Sequence, residues 1–193
     1  MFRFLAAALL AVFVAFSTSA EAPVIAPIVK PLVIKLEGVV NAEMVSSVGM
    51  ALAGRTPGQG LVVQINSPGG NVYQGLLLIR ALRDAGGADR CEVQDVAASM
   101  AFVILESQAC KTRFVEPASL VMAHGVQGGA EGDRPEIERG AQRMAIIERA
   151  IAEIVAPRIE MTVQEYLAAT NGNELWVVGA DAVKMHWADG ISK

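Results

Sequence analysis

The chain has 193 residues and a formal net charge of −4 at pH 7; 53% of its residues are hydrophobic and 19% are charged. This charge leaves no basic face for a nucleic acid, so the composition excludes that partner and favours a protein or a small molecule. The content of Ala, Val and Ile is that of a packed α/β domain with a sizeable core.

The N-terminal segment has the pattern of a secretory signal peptide. Arg3 precedes an unbroken apolar run from Phe4 to Phe16, and small residues with a cleavage site near Ala20 follow. The run is shorter than the roughly 20 residues that a membrane span needs. We therefore predict a signal peptide over residues 1–22 and an exported, periplasmic protein. The alternative is an uncleaved segment that anchors the protein to the membrane.

Residues 23–31 form a proline-rich spacer, and residues 32–193 are predicted to form one α/β domain. The run LVIKLEG is typical of a strand, and Asn41 after it can cap a helix. LVVQIN and the breaker SPGG begin a second strand–helix unit, which ends at Gly86 and Gly87. CEVQDV followed by AASMAFVILESQAC forms a third unit. This alternation predicts a parallel sheet with crossover helices.

The C-terminal half begins with two short strand-like runs, TRFVE and SLVMAHG, and a polar glycine-rich segment. Asp133 and Glu136 then have the spacing of a capping box. The apolar residues after it recur at helical spacing and predict a long amphipathic helix. These residues are Ile137, Ala141, Met144, Ile147, Ile151 and Ile154. Thr162 and Glu165 cap a further short helix, and the strand-like run ELWVV precedes a closing helix and turn.

Two cysteines, Cys91 and Cys110, lie in the part of the chain that is predicted to be exported, where disulfides are favoured. If Cys91 begins a strand and Cys110 ends the antiparallel helix after it, both lie at the same end of that unit and can be bridged. Two buried free thiols are the alternative. The cysteines and the two histidines are too widely spaced for a metal site, and no cofactor is predicted.

Ser99 lies where the third strand is predicted to turn into its helix. A serine hydroxyl is a nucleophile only when a base takes its proton, and the chain has two histidines. His124 ends an apolar strand, where a loop would expose it at the rim of a cleft, whereas His186 is predicted on the surface. Ser99 and His124 are thus candidates for nucleophile and base. The alternative is a core-lining serine and a partly buried histidine.

The glycines of SPGG are candidates for an oxyanion site. Gly69 and Gly70 let the backbone approach a ligand closely and can aim an N–H group at a developing negative charge. A second N–H can come from Met100, which follows Ser99 at the start of a helix. The alternative is that SPGG is only a tight turn between strand and helix.

In this order, INSPGGNVYQG, AASMAFVIL and VMAHG resemble the proteolytic subunit of Clp protease, in the ClpP/crotonase superfamily. The resemblance covers roughly residues 32–191. Gly70, Ser99 and His124 have the order and spacing of that family's oxyanion glycine, nucleophile and base. The resemblance implies an α/β fold of repeated β-β-α and βαβ units, and an oxyanion hole formed by the amides of Gly70 and Met100.

The resemblance also puts Glu174 where the family normally has the aspartate that orients the histidine, with Asn173 as the alternative. Glutamate can fill this role, as triads on other folds show. The chain departs from the family's pattern around Ser99, and after His124, where GVQGG lacks a proline. These departures bear on the shape of the substrate channel.

The long helix resembles the protruding handle by which the family's rings stack, which implies a homo-oligomer. The family's ATPase partners need ATP, which is not available in the compartment that an exported protein enters. The resemblance and the signal peptide together predict an ATP-independent serine endopeptidase that acts on peptides or unfolded proteins. Membrane-associated relatives such as signal peptide peptidase A use a Ser-Lys pair, but Lys111 is expected to be a charge at a strand edge, so His124 is preferred as the base.

Two other functions stay open at this point. A catalytically silent, oligomeric binding protein with the same fold is favoured by Glu174 and by the altered flanks of Ser99 and His124. An acyl-CoA-handling crotonase enzyme is disfavoured, because a serine-histidine pair has no purpose there and CoA thioesters are scarce in the exported compartment.

Overall fold

The computed structural model describes residues 29–192, so the predicted signal peptide at residues 1–22 lies outside the described residues. The strands are β1 (Leu32–Glu37), β2 (Leu61–Ser67), β3 (Arg90–Ala98), β4 (Arg113–Val115), β5 (Leu120–His124), β6 (Glu174–Val178) and β7 (Gly190–Ile191). The helices are α1 (Ala42–Ala53), α2 (Val72–Asp84), α3 (Met100–Leu105), α4 (Arg134–Val155), α5 (Val163–Thr170) and α6 (Gly179–Lys184), with a 3₁₀ turn (Ala156–Arg158) directly after α4. Among these residues, no helix is both long and apolar enough to cross a membrane.

The predicted parallel sheet is confirmed, and β3 is its branch point. The strand order is β1-β2-β3-β4-β7, all parallel. The first half of β3 pairs with β4, and its second half pairs with β5, which in turn pairs antiparallel with β6. Ala98 is level with Met122 in the β3–β5 register. The shared direction of β3 and β5 therefore carries Ser99 and His124 to the same edge of the sheet.

The helix caps that the sequence predicts are present. The Asn41 side chain accepts a hydrogen bond from the Met44 amide at 2.9 Å and so begins α1. Gly86 and Gly87 end α2, because their amides donate to carbonyls in its last turn at 2.9 Å each and both residues have positive φ. Residues within one helical turn are thus sufficient to determine where these helices begin and end.

The helix after β3 is shorter than predicted. Ala97 and Ala98 belong to β3, and α3 ends at Leu105. Ser107 competes with the helix, since its hydroxyl donates to a carbonyl in the last turn of α3 at 2.7 Å. The prediction that Cys110 ends this helix was therefore wrong, because Cys110 lies in the loop that follows.

The loop nevertheless brings Cys110 back to the start of β3. The backbones of Ala88 and Cys110 form a parallel bridge, and the Ala88 amide donates to Ala109 at 2.7 Å. Cys91 and Cys110 form a disulfide with 5.6 Å between their Cα atoms, and both are fully buried. The disulfide joins the two ends of the segment that carries Ser99 at its turn.

The long helix α4 matches the predicted handle. Its capping box is present, with the Asp133 side chain and the Glu136 side chain each accepting from the other's amide. Its apolar stripe is buried only near the C-terminal end, where Ile151 is 5% exposed. Towards the N-terminal end Ile137 is 48% exposed and Ile147 is 38% exposed. The N-terminal part of the helix therefore projects from the core.

Candidate active site

Ser99 occupies a sharp turn between β3 and α3. Its φ of 54° and ψ of −123° are rare for a residue with a side chain and cost about 1–3 kcal/mol. Three backbone contacts hold it there: the Ser99 amide donates to Met122 at 2.9 Å, its carbonyl accepts from Val103 at 3.1 Å, and Gly69 packs against it. Ser99 lines a cleft at this turn.

The SPGG loop is bound to the backbone of Val40. The Val40 amide donates to Gly69 at 2.8 Å, and the Asn71 amide donates to the Val40 carbonyl at 2.9 Å. Gly70 lies between these two contacts and lines the same cleft as Ser99 and Met100. Within residues 29–192, the amides of Gly70 and Met100 donate to no backbone or side-chain acceptor. Both N–H groups are therefore available to a ligand.

Met100 is held by a close contact with α2. Its side chain packs over the buried Gly75, where a Cβ atom would come 2.9 Å from the Met100 sulfur. Met100 itself is 2% exposed. This contact sets the first turn of α3, and with it the direction of the Met100 amide, a constraint that sequence reasoning did not detect because Gly75 and Met100 are far apart in the chain.

His124 ends β5 and lines the same cleft as Gly70. Its Nδ1 atom forms a hydrogen bond with the Gly125 carbonyl. When Nδ1 donates to a carbonyl in this way, Nε2 carries the lone pair of the neutral ring and can accept a proton. Ser99 and His124 line one cleft of about 440 Å³. Among the described residues no hydrogen bond joins their side chains.

Glu174 lies directly across from His124 in the antiparallel β5–β6 pair. Its carboxylate accepts from the Trp176 indole at 3.0 Å, and the residue is exposed. Asn173, the alternative, donates to the Ala169 carbonyl at 3.1 Å. The structure therefore places Glu174 beside His124, while the ring's Nδ1 faces the Gly125 carbonyl.

A second carboxylate at this site was missed by sequence reasoning. Glu148, from the middle of α4, accepts a hydrogen bond from the Val126 amide at 3.2 Å. It lines a smaller cavity beside the cleft together with His124, Gly125 and Glu174. Glu148 is one of several acidic residues on α4, so nothing in the local pattern distinguishes it from the others.

The remaining candidates lie elsewhere. His186 is exposed, as predicted, and its Nδ1 lies 3.4 Å from the Glu160 carboxylate. Lys111 is also exposed and pairs with Asp89 at 2.8 Å. In the described part of the chain, no group of three or more His, Cys, Asp and Glu side chains could hold a metal ion.

A parallel sheet that brings a strained serine, a histidine and a glycine loop to one edge, with a projecting handle helix, defines the ClpP-like class of α/β proteins. The chain belongs to the Clp protease family, whose model matches residues 19–193. The motifs on which the resemblance depended all lie within the matched range.

Several relatives share this family. The chain is 35% identical over 124 residues to an ATP-dependent Clp protease proteolytic subunit of Pleurastrum terricola, which covers 63% of each protein. It is 30% identical over 135 residues to the same subunit of Bacteroides fragilis, covering 70% of this chain and 65% of the relative. An ATP-dependent Clp protease proteolytic subunit 2 of Rhodococcus jostii is 26% identical over 146 residues, 74% of this chain and 72% of the relative. The chain thus spans just under two thirds of the length of the first two.

Proposed function

We propose that the protein is an exported, ATP-independent serine endopeptidase that hydrolyses peptides or unfolded segments of proteins. One observation carries the proposal. The strained Ser99, His124, Gly70 and Met100 all line a single cleft, and the amides of Gly70 and Met100 have no hydrogen-bond acceptor among the described residues. A serine, a base and two backbone donors are the groups that acyl transfer requires.

In the first half of the reaction, His124 Nε2 takes the proton from Ser99 Oγ as Oγ bonds to the carbonyl carbon of the scissile peptide. The carbonyl oxygen becomes negative and accepts hydrogen bonds from the amides of Gly70 and Met100. The C–N bond then breaks, and His124 gives its proton to the leaving amine. The product of this half is an acyl ester on Ser99.

In the second half, water attacks the acyl ester while His124 takes the water's proton. The acid product leaves, and Ser99 regains its hydrogen. Glu174 is proposed as the third member of the triad. Its position opposite His124 brings a negative charge close to the ring, because directly paired residues have Cβ atoms about 4.5–5.5 Å apart.

Export is supported by the signal-like N-terminal segment and by the Cys91–Cys110 disulfide, since disulfides persist in oxidising compartments. ATP is absent there, so the protein would work without an ATP-driven unfoldase and would take flexible substrates. The exposed apolar residues of α4 support a homo-oligomer, with stacked rings as the family resemblance implies.

A second candidate is a catalytically silent binding protein with the same fold. It is favoured by the Glu174 carboxylate, which bonds to Trp176 instead of His124. Such a protein would use the cleft to hold a peptide and would leave Ser99 unreactive.

Intact-mass labelling with a fluorophosphonate probe separates the two, because an activated Ser99 Oγ displaces fluoride from the probe's phosphorus. The mature protein, Ser99→Ala and His124→Ala would be compared. One label per chain on the parent and none on either variant would establish the peptidase site. An unlabelled, folded and oligomeric parent would exclude the peptidase and leave the binding protein.

A further inference from the structure

The short segment after His124 connects the ring to a carboxylate on another element. His124 Nδ1 bonds to the Gly125 carbonyl, and the Val126 amide bonds to Glu148 Oε1 at 3.2 Å. The Gly125 carbonyl and the Val126 amide are the two ends of one planar peptide group. A single peptide therefore stands between the imidazole of His124 and the carboxylate of Glu148.

We propose that Glu148 is a positioning residue for His124 and acts through the Gly125–Val126 peptide. This inference rests on the peptidase function proposed above. A hydrogen bond to a carboxylate is stronger than one to a neutral acceptor, so Glu148 fixes the plane of this peptide and the direction of its carbonyl. Linked hydrogen bonds also polarise one another, which makes the Gly125 carbonyl a better acceptor for the imidazolium that forms when His124 takes a proton.

Gly125 provides an independent reason to assign this role. A Cβ atom at Gly125 would lie 2.5 Å from Glu148 Oε1 and 3.2 Å from the Thr170 carbonyl. The backbone of Gly125 is not in the positive-φ region, so its conformation does not require glycine. The missing side chain is instead what lets the carboxylate come so close to the peptide.

The other end of the segment is also held. The Gly125 amide donates to the Thr170 carbonyl at 3.2 Å, and Thr170 is buried with its hydroxyl bonded to Tyr166. The residues after His124 are thus hydrogen-bonded to the end of α5 on one side and to the middle of α4 on the other. Glu174, from β6, is the other charged group in the cavity beside the ring.

The two carboxylates differ in what they contact. The contact of Glu148 reaches the peptide that bonds to His124 Nδ1, whereas Glu174 is bound to the Trp176 indole. The peptide link gives the carboxylate a way to orient the histidine without touching it. Glu148 acts on His124 through the peptide, whereas Glu174 acts on the ring only through its charge.

The test uses saturation kinetics of Ser99 labelling by a fluorophosphonate probe, which separates the maximal rate kinact from the apparent affinity KI. Glu148→Gln keeps an oxygen acceptor for the Val126 amide but removes the charge, and Glu148→Ala removes both. Glu153→Gln is the matched control, because Glu153 lies on the same helix in an exposed pair with Arg149.

We expect kinact to fall roughly tenfold in Glu148→Gln and roughly a hundredfold in Glu148→Ala, the range of a lost charged hydrogen bond. KI should stay within about twofold in both, because the cleft itself is intact. Gly125→Ala should also lower kinact, since its methyl group displaces the Glu148 carboxylate. Glu153→Gln should label like the parent.

A Glu148→Gln variant that labels at the parent rate would overturn the inference, and this near-isosteric variant decides the matter even if Glu148→Ala does not fold. So would an equal loss of kinact in Glu153→Gln. These outcomes leave the peptidase proposal intact, because the parent is labelled. A parent that is not labelled at all would instead end the peptidase proposal and this inference together.

Discussion

Gly69 lies directly against Ser99: a Cβ atom on Gly69 would come 2.7 Å from the Ser99 Cβ and 2.8 Å from the Met100 amide nitrogen. No real Cβ atom tolerates such contacts, so the turn that carries the serine and the loop that carries Gly70 are in direct backbone contact. The strain at Ser99 and the packing at Gly69 thus depend on each other.

The first prediction concerns this contact. Gly69→Ala should greatly slow labelling of Ser99, because the methyl group clashes with the turn and the φ of 93° at Gly69 is unfavourable for any side chain. A loss of at least about a hundredfold is expected, the typical cost of one oxyanion donor. Gly49→Ala, where the added Cβ meets nothing within 4 Å, is the control and should label normally. Normal labelling of Gly69→Ala would contradict the proposed oxyanion site.

The second prediction concerns the disulfide. A bridge between residues 19 positions apart stabilises a fold by about 3 kcal/mol, chiefly by restricting the unfolded chain. A reductant should therefore lower the Tm of the parent, once unfolding gives it access to the buried sulfurs. Cys91→Ala/Cys110→Ala should have the same lower Tm with and without reductant. The detection of two free thiols in the native, oxidised protein would contradict the bridge.

The third prediction concerns pH. Burial raises the pKa of the Glu106 carboxyl to about 8, although Arg113 pairs with it and favours the charged form. The folded state thus holds this proton more tightly than the unfolded chain, where the carboxyl titrates near 4.5. The stability contributed by Glu106 is complete below about pH 4.5 and is lost as the pH rises through about 8.

Chemical unfolding across this range would measure the effect. The free energy of unfolding of the parent should decline towards alkaline pH, and Glu106→Gln should remove that part of the decline. Arg113 keeps its bond to Asp189 at 2.6 Å in this variant and so is not left unpaired. Glu116→Gln, at an exposed position, should keep the parent's slope. Equal slopes in the parent and Glu106→Gln would refute the assignment.

The fourth prediction concerns self-association. Ile137, Met144 and Ile151 are seven positions apart and share one face of α4, yet Ile151 is 5% exposed and Ile137 is 48% exposed. A second copy would cover the exposed end of this stripe. Ile137→Asp should therefore shift the protein to a smaller species in size-exclusion chromatography with light scattering, without lowering the Tm of the subunit. Met185→Asp, which adds the same charge outside α4, should not. Equal masses for Ile137→Asp and the parent would contradict a handle interface.

The elements that depend on neighbouring residues could be predicted from the sequence. Asn41 and the Asp133–Glu136 capping box act within one helical turn, and Gly86 needs only its own backbone freedom. The end of α3 was not predictable in this way. It depends on the buried pairing of Glu106 with Arg113, a partner on another element that the local pattern does not show.

The residues of the candidate site likewise differ in whether the sequence alone could predict them. Ser99, His124, Gly70 and Met100 could be named because each lies at a recognisable break between strand, loop and helix. The contact of Glu148 with this site could not be predicted, because α4 meets the segment after His124 only when the helix packs against the sheet.

Periodicity and turn chemistry act over a few residues, so the amino-acid pattern alone predicts the order of strands and helices, the positions of the caps and four residues that line the cleft. Three features are defined only once the chain is folded: the carboxylate that bonds to the peptide beside His124, the glycine that packs against Ser99, and the point at which the apolar stripe of α4 leaves the core. Those features depend on distances between residues far apart in the chain, and packing sets such distances.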